Sequence, residues 1–223
     1  MAFFIPKNMD FLPKEIADYA LSYTQSESDL LTKLNRETWA KVMTPRMLSG
    51  HLQGRVLSMF SKMISPKNIL EIGTYTGYSA LCMAEGITKN GKLHTIESNK
   101  EVCQFARKYF KQSEYNENIV QHTGDALEII PKLDTKFQLV FIDADKENYS
   151  NYFDLVFEKL SVGGYIIADN VLWSGKVLQE NMDEEAMALV SYNKKVYQDK
   201  RVENILMPIR DGLMICRKIS SEV

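Results

Sequence analysis

The chain has 223 residues, of which 45% are hydrophobic and 25% are charged, a composition typical of soluble globular proteins. Its formal net charge of −2 gives no strong field for attracting nucleic acid or an anionic membrane. The widely spaced Cys82, Cys103 and Cys216 favour reduced thiols over a disulfide framework or a zinc site. No stretch approaches the roughly 20 apolar residues of a membrane span. We therefore predict a cytoplasmic protein without nucleic-acid or membrane partners.

The first part of the chain, residues 11–62, is predicted to be helical throughout. The sequence LPKE at residues 12–15 is typical of a helix start, with proline in the first turn and glutamate close behind. Further helices are predicted over residues 28–39 and 52–64. The last of these should end before Pro66, because proline disfavours a helical conformation in the residue that precedes it.

From residue 67 onward, short apolar runs alternate with longer amphipathic stretches. The runs that we predict as strands are residues 68–72, 92–96, 119–122, 137–142 and 164–168. Alternation of strands and helices predicts parallel pairing, with helices on both faces of the sheet. Two later apolar runs flank Asp211-Gly212, which is a hairpin signal, so the sheet should end in an antiparallel pair.

These elements predict an open α/β fold in which a mostly parallel seven-stranded sheet follows N-terminal helices. The chain shows no internal repeat and no linker, so residues 1–223 are interpreted as a single domain. Within it, residues 1–66 are predicted to form a helical cap and residues 67–223 the α/β core.

Glycines and carboxylates follow the first two predicted strands. Ligands of an open parallel sheet bind outside the carboxyl ends of the strands. The glycines of EIGTYTGYS at residues 71–79 let the backbone turn sharply and approach a ligand. Glu97 ends the second strand, where an acidic residue can accept both hydroxyls of a ribose. Alone, the glycine loop is a common connection and Glu97 a plausible helix cap, but together they favour an adenosine-type ligand.

The spacing of the glycines separates two classes of adenosine ligand. A dinucleotide site needs Gly-x-Gly-x-x-Gly, whereas this chain has Glu71-x-Gly73-x-x-x-Gly77. The carboxylate of Glu71 would repel a pyrophosphate but suits a cationic ligand. S-adenosylmethionine carries an ammonium and a sulfonium and no phosphate, so the spacing favours it. An NAD-dependent oxidoreductase is the alternative that the acid after the second strand permits.

Oxygen-bearing side chains follow the other strands. Asp143, Asp169 and Asn170 come after the fourth and fifth strands, which should be neighbours, and they suit Mg²⁺, Mn²⁺ or Ca²⁺. From spacing alone, helix capping explains these residues equally well. Asp125, after the third strand, has the same capping interpretation. Lys146 follows Asp143 by three residues and could face the same pocket, although most lysines are solvated.

Four segments resemble the cation-dependent O-methyltransferase family, which includes plant caffeoyl-CoA O-methyltransferases and, more distantly, catechol O-methyltransferase. They are LEIGTYTGYS at 70–79, DADKENY at 143–149, DNVLW at 169–173 and the Asp211-Gly212 hairpin. The resemblance extends from about residue 30 to residue 219. It implies a Rossmann-like class I methyltransferase fold, S-adenosylmethionine as methyl donor, a small phenolic acceptor and a homodimer.

The resemblance also implies roles for individual residues. The implied cofactor contacts are Met47, Ser49, Glu71, Gly73, Tyr75, Ser79, Glu97, Asp125, Ala126, Asp143 and Asp145. The implied ligands of Mg²⁺, for which Mn²⁺ or Ca²⁺ can substitute in binding, are Asp143, Asp169 and Asn170. The implied catalytic residues are Lys146, as a general base, and Asp143.

Four positions depart from the family's pattern. Glu97 stands where an aspartate is usual, Gln53 and Arg55 stand for Glu and Gln, and Ser174 replaces an asparagine that helps plant members bind substrate. We predict a metal-dependent transfer of a methyl group from S-adenosylmethionine to a hydroxyl of a catechol-like acceptor, of vicinal diphenol, caffeoyl or flavonoid type. A non-catalytic relative that binds only the cofactor or a partner is an alternative, which the intact set of implied metal ligands opposes.

Overall fold

The computed structural model describes residues 13–221, so Leu12, where the first helix was predicted to open, lies outside the described residues. The α-helices are α1 Lys14–Ser22, α2 Asp29–Lys41, α3 Gly50–Ile64, α4 Tyr78–Ala84, α5 Lys100–Phe110, α6 Ala126–Ile129, α7 Tyr149–Lys159 and α8 Glu184–Gln198. The strands are β1 Asn68–Ile72, β2 Lys92–Glu97, β3 Ile119–Thr123, β4 Phe137–Ile142, β5 Leu160–Ala168, β6 Val202–Met207 and β7 Leu213–Lys218. Across residues 13–221, no helix has the length and apolar character needed to cross a membrane.

The strands form one sheet in the order β3-β2-β1-β4-β5-β7-β6. Strands β1 to β5 pair in parallel, whereas β7 is antiparallel to both β5 and β6. The predicted fold class, a mostly parallel seven-stranded sheet that ends in an antiparallel hairpin, is confirmed. Strand β5 begins four residues before the predicted start at Gly164, because an irregularity in its pairing with β4 carries it back to Leu160.

Both faces of β4 are buried, as is usual for a parallel strand with helices on both sides of the sheet. In β4, Val140 packs in one core cluster with residues of α7 and α8. Its neighbour Phe141 points to the opposite face and packs in a second cluster. Leu34 of α2 and Leu57 of α3 belong to that second cluster, so the N-terminal helices share a core with the sheet.

The three helices predicted in this region are present, but the prediction that residues 11–62 are helical throughout is wrong in the two connections between them. Ser28 accepts a hydrogen bond from the N–H of Leu31 and caps α2, which fixes a break between α1 and α2. After α2 the chain runs through the short 3₁₀ helix Pro45–Met47, because proline disfavours helix at the residue before it. The predicted end of α3 before Pro66 is confirmed, since Ser65 is left-handed and terminates the helix.

The register of the parallel strands aligns their carboxyl ends. Ile72 of β1 pairs with Ile96 of β2 and with Ile142 of β4, which in turn pairs with Ala168 of β5. The residues that follow these four are Gly73, Glu97, Asp143 and Asp169. The candidate residues therefore meet at one edge of the sheet, where an open α/β fold binds its ligands.

Candidate active site

A cavity of about 820 Å³ opens at this edge of the sheet, a volume typical of small-molecule sites. The predicted site residues that line it are Met47, Gly73, Tyr75, Glu97, Asp125, Ala126, Asp143, Asp145, Lys146, Asp169 and Asn170. The remaining three, Ser49, Glu71 and Ser79, are buried and do not line it. The structure thus brings residues from five strand ends and the N-terminal segment to one cavity.

Unusual backbone conformations are concentrated around the cavity. Tyr75, Asn170, Trp173 and Arg210 all line it and all have φ between 45° and 58°. Left-handed backbone is unfavourable for residues other than glycine and persists where surrounding contacts fix it, often at functional sites. The loops of this cavity are therefore held in specific conformations by their packing.

Gly73 allows the loops after β1 and β4 to approach each other closely. Its φ is +98°, and a Cβ atom at this position would lie 1.9 Å from the carbonyl oxygen of Asp143. Only glycine fits such an approach. Gly73 was predicted from the sequence to let the backbone approach a ligand. It also lets the loop after β1 lie against the loop after β4.

Glu71 is fully buried behind the cavity wall. The hydroxyls of Ser79 and Thr95 donate hydrogen bonds to its two carboxylate oxygens, each over 2.5 Å. Burial raises the pKa of Glu71 to about 8, although both hydroxyl donors oppose the shift. Thr95, in the middle of β2, was not predicted as a site residue.

Glu97 and Asp125 bond to backbone N–H groups at the cavity rim. Glu97 accepts from the N–H of Tyr75 and from that of Asn99, both at 2.9 Å, and so holds the left-handed loop after β1. Asn99, not Glu97, caps α5. Asp125 accepts from the N–H of Leu127 at 2.8 Å and caps α6, which confirms its capping interpretation while leaving it on the cavity wall.

Lys146 connects the residues that follow β4 and β5. Its Nζ donates to Oδ1 of Asp143 at 3.1 Å and to Oδ1 of Asn170 at 2.9 Å. It also donates to the hydroxyl of Tyr149 at 2.8 Å, and that hydroxyl donates to the carbonyl oxygen of Asp169 at 3.0 Å. The side chain of Lys146 is only 8% exposed, so the interpretation as a solvated lysine is wrong.

Asp169 is a buried carboxylate with both oxygens hydrogen bonded. Oδ1 accepts from the N–H of Asn170 at 2.7 Å, and Oδ2 accepts from Nε2 of Gln53 at 2.5 Å. Burial, together with the negative charge of Asp143, raises the pKa of Asp169 to about 7, while the Gln53 donor opposes the shift. Gln53 itself is fully buried, and the sequence indicated it only as a departure from the family's pattern.

The oxygens of Asp143 and Asn170 already converge on one cation, the ammonium of Lys146, and Asp169 lies next to them. Such hard oxygen donors fit Mg²⁺ or a similar divalent ion. Across residues 13–221, no group of three or more His, Cys, Asp or Glu side chains could hold a metal. The predicted ligand set for a cation at this place is two carboxylates and one amide, those of Asp143, Asp169 and Asn170.

Sequence similarity to known proteins extends over most of the chain. A family profile described as O-methyltransferase matches residues 21–219. Caffeoyl-CoA O-methyltransferase of Medicago sativa is 35% identical over 198 residues, which cover 82% of this chain and 80% of the relative. The protein of the same description from Petroselinum crispum is 34% identical over 199 residues, covering 83% and 82%. The chain belongs to the O-methyltransferase family.

A solved structure extends the comparison to the fold. The Podospora anserina methyltransferase PaMTH1, crystallised with bound S-adenosylhomocysteine, superposes with a TM-score of 0.87 at 25% identity. The match covers 98% of this chain and 99% of that one. The predicted class I methyltransferase fold and the predicted enzyme class, an S-adenosylmethionine-dependent O-methyltransferase, are confirmed. The alternative of an NAD-dependent oxidoreductase is wrong.

Proposed function

We propose that this methyltransferase acts on one hydroxyl of a small vicinal diphenol, such as a catechol, caffeoyl or flavonoid compound, in a reaction that depends on a divalent cation. The observation that carries this proposal is the cluster on the cavity wall in which buried Lys146 and Asp169 lie beside half-buried Asp143 and Asn170. It places the amino group of Lys146 beside oxygens that suit a hard cation, and these are groups that can activate a phenol.

The ends of β1 to β3 are the proposed place for the methyl donor. Glu97 retains lone pairs for the ribose hydroxyls, and Gly73 leaves the backbone open to the ligand. Asp125 and Ala126 line the same part of the cavity, and Met47 lies on its rim, 59% exposed. Glu71, Ser49 and Ser79 stay predicted contacts, although they are buried and do not line the cavity.

The proposed reaction is a direct displacement, in which the phenolate oxygen forms a bond to the methyl carbon as the carbon–sulfur bond breaks. A free phenol has a pKa of about 10, so it must lose its proton on the protein to react at neutral pH. A divalent ion held by Asp143, Asp169 and Asn170 would lower the pKa of the acceptor hydroxyls. Lys146 takes the proton of the hydroxyl after its own ammonium has released a proton to solvent, or it stays an ammonium and stabilises the phenolate through its charge. Tyr149 accepts a hydrogen bond from its Nζ and holds it in place.

The direct test is an acceptor screen by mass spectrometry with S-adenosylmethionine and Mg²⁺, using catechol, caffeate, caffeoyl-CoA and a flavonoid diphenol. We expect one added methyl group per molecule of acceptor, and no product from monophenols, which cannot offer two neighbouring hydroxyls. Calorimetry should show binding of S-adenosylmethionine and none of NAD. Equal methylation of monophenols and diphenols would contradict the proposed activation.

We also propose that the chain works as one cytoplasmic domain that forms homodimers. Ile16 and Tyr19 of α1, and Tyr23 directly after it, are between 53% and 78% exposed, which is unusual for the surface of a monomer. A second copy of the chain would cover them. The thiols of Cys82, Cys103 and Cys216 are free and buried, as expected in a reducing compartment. Light scattering would test the dimer, and a monomeric mass at micromolar concentration would contradict it.

A further inference from the structure

Arg210 lines the cavity from the turn between β6 and β7. It is exposed, and its left-handed backbone, with a φ of 50°, sets the direction in which its side chain leaves the turn. Nη1 donates to Oε1 of Gln53 at 3.2 Å and to the carbonyl oxygen of Leu48 at 3.3 Å. Both of these hydrogen bonds use Nη1, so Nη2 and Nε of the guanidinium are not engaged by them.

Gln53 joins Arg210 to the candidate cation site. Its carboxamide accepts from Arg210 through Oε1 and donates to Asp169 through Nε2, at 2.5 Å. The side chain is fully buried, so it has little freedom to move. A glutamate of the same size would form an ion pair with Arg210 and repel Asp169. The neutral amide fixes Arg210 without neutralising it.

The charge of Arg210 remains available to a ligand. Both of its acceptors are neutral oxygens, and within residues 13–221 it forms no ion pair. The rest of the cavity is rich in carboxylates: Glu97, Asp125, Asp143, Asp145, Asp169 and Glu185. An anionic acceptor would be repelled by most of this wall, so it would need a cation placed to receive it. Three basic residues line the cavity. Lys146 bonds to Asp143, and Arg46 precedes Met47 in the segment proposed for the donor, whereas Arg210 is joined through Gln53 to Asp169 of the candidate cation site.

We propose that Arg210, positioned by Gln53, binds a carboxylate of the methyl acceptor, so that the preferred acceptors are vicinal diphenols with an acidic substituent. This inference rests on the proposed function and adds a substrate class to it. A guanidinium presents paired N–H donors that match the two oxygens of a carboxylate. Because one carboxamide separates Arg210 from Asp169, the diphenol hydroxyls and the acid group would lie at two ends of one small molecule.

The experiment compares caffeate with its methyl ester, which has the same diphenol ring without the negative charge. Calorimetry with Mg²⁺ and S-adenosylhomocysteine present measures binding of each compound without turnover. We expect wild-type protein to bind caffeate about 10- to 100-fold more tightly than the ester, the usual effect of a hydrogen-bonded charge. In Arg210→Met the two compounds should bind equally well, and Arg210→Lys should retain part of the difference.

Gln53→Met tests the positioning role. Methionine fills the same space without either hydrogen bond, so the preference for caffeate should fall while the protein stays folded. Ser61→Ala is the matched control, because Ser61 is a buried hydrogen-bonding residue of the same helix, bonded to the carbonyl oxygen of Met83. Arg217→Met controls for loss of an arginine on the same hairpin, since Arg217 pairs with Glu203 away from the cavity. Both controls should keep the wild-type preference.

An unchanged preference for caffeate in Arg210→Met would overturn the inference. If Arg210→Met instead weakened S-adenosylhomocysteine binding and left that preference intact, Arg210 would bind the carboxylate of the donor, which also overturns it. Equal binding of acid and ester by wild-type protein would overturn this inference alone. Failure of every diphenol to bind would overturn the proposed function and the inference with it.

Discussion

At the ends of β1 and β2, the buried or half-buried acids are bonded to neutral donors. Glu71 bonds to two hydroxyls and Glu97 to two backbone N–H groups. At the ends of β4 and β5, by contrast, Asp143 meets the ammonium of Lys146, and Asp169 lies beside it. The acids of the first region have no cationic partner in the protein and can pair with a cationic ligand, while the second region contains its own positive charge. The comparison suggests that the first region binds the donor and the second performs the proton chemistry.

Removing the divalent ion should have the largest effect, because it removes the charge that activates the acceptor in the second region. We expect activity to be abolished by EDTA and restored by excess Mg²⁺ or Mn²⁺. Binding of S-adenosylmethionine, measured by calorimetry, should persist, since the first region needs no metal. Full turnover in protein shown by elemental analysis to be metal-free would contradict the division of roles.

Lys146→Ala should lower the single-turnover rate by about 10²–10⁴-fold, the usual scale of general acid–base catalysis. Raising the pH should recover part of the rate, because more acceptor then arrives already ionised. Lys176→Ala is a suitable control. Lys176 lies over the same Trp173 ring but pairs with Asp183 and does not line the cavity. A wild-type rate in Lys146→Ala would show that the metal alone activates the hydroxyl.

Glu97→Ala should weaken binding of S-adenosylmethionine by about 1.5–3 kcal/mol, as expected for loss of a charged hydrogen-bond acceptor. Part of this loss comes from the loop, because Glu97 also holds the N–H of Tyr75. Glu97→Asp, which keeps a carboxylate, should recover much of the affinity in calorimetry. Metal binding should be the same in all three proteins. Unchanged affinity for S-adenosylmethionine in Glu97→Ala would mean that Glu97 stabilises the loop after β1 and does not bind the donor.

The sequence predicted which residues lie at the ends of the strands, because the end of a strand can be recognised from the local sequence. Apolar runs mark each strand, and parallel pairing then places the residues that follow them at one edge. The contacts between the regions are not local. Gln53 meets Arg210 across 157 positions of the chain, and this pairing depends on how α3 packs against the last hairpin. No periodicity or motif in either segment carries that information.

Burial was the other property that the sequence did not indicate. Lysine is a residue type that usually lies on the surface. Lys146 becomes buried because α7 and the loop after β5 pack around it. His94 and His122 are 28 positions apart in the sequence, yet neighbouring strands bring Nδ1 of His94 within 3.0 Å of Nε2 of His122. Such meetings follow from strand register, which single-sequence patterns determine only approximately.

The smallest expected effect concerns the proton on Glu71. Because burial raises the pKa of Glu71 to about 8, the free protein holds this carboxyl mostly protonated at pH 7. If the ammonium of S-adenosylmethionine reaches Glu71, it favours the ionised form, and binding must release the proton. Affinity should then fall by up to about tenfold for each pH unit below 8, and it should fall again above about pH 8 as the ammonium of the donor loses its own proton.

Calorimetry at pH 7 in buffers with different heats of ionisation measures the released proton directly. Wild-type protein and Glu97→Gln should both release it on binding S-adenosylmethionine, because Glu97 is a separate carboxylate on the cavity surface. Glu71→Gln should bind more weakly, without proton release and with little dependence on pH. Absence of proton release in wild-type protein would make Glu71 a structural acid that orients Ser79 and Thr95. The ends of β1 and β2 would then offer the ammonium of the donor no buried carboxylate, and they would differ less from the ends of β4 and β5 in the charge available to a ligand.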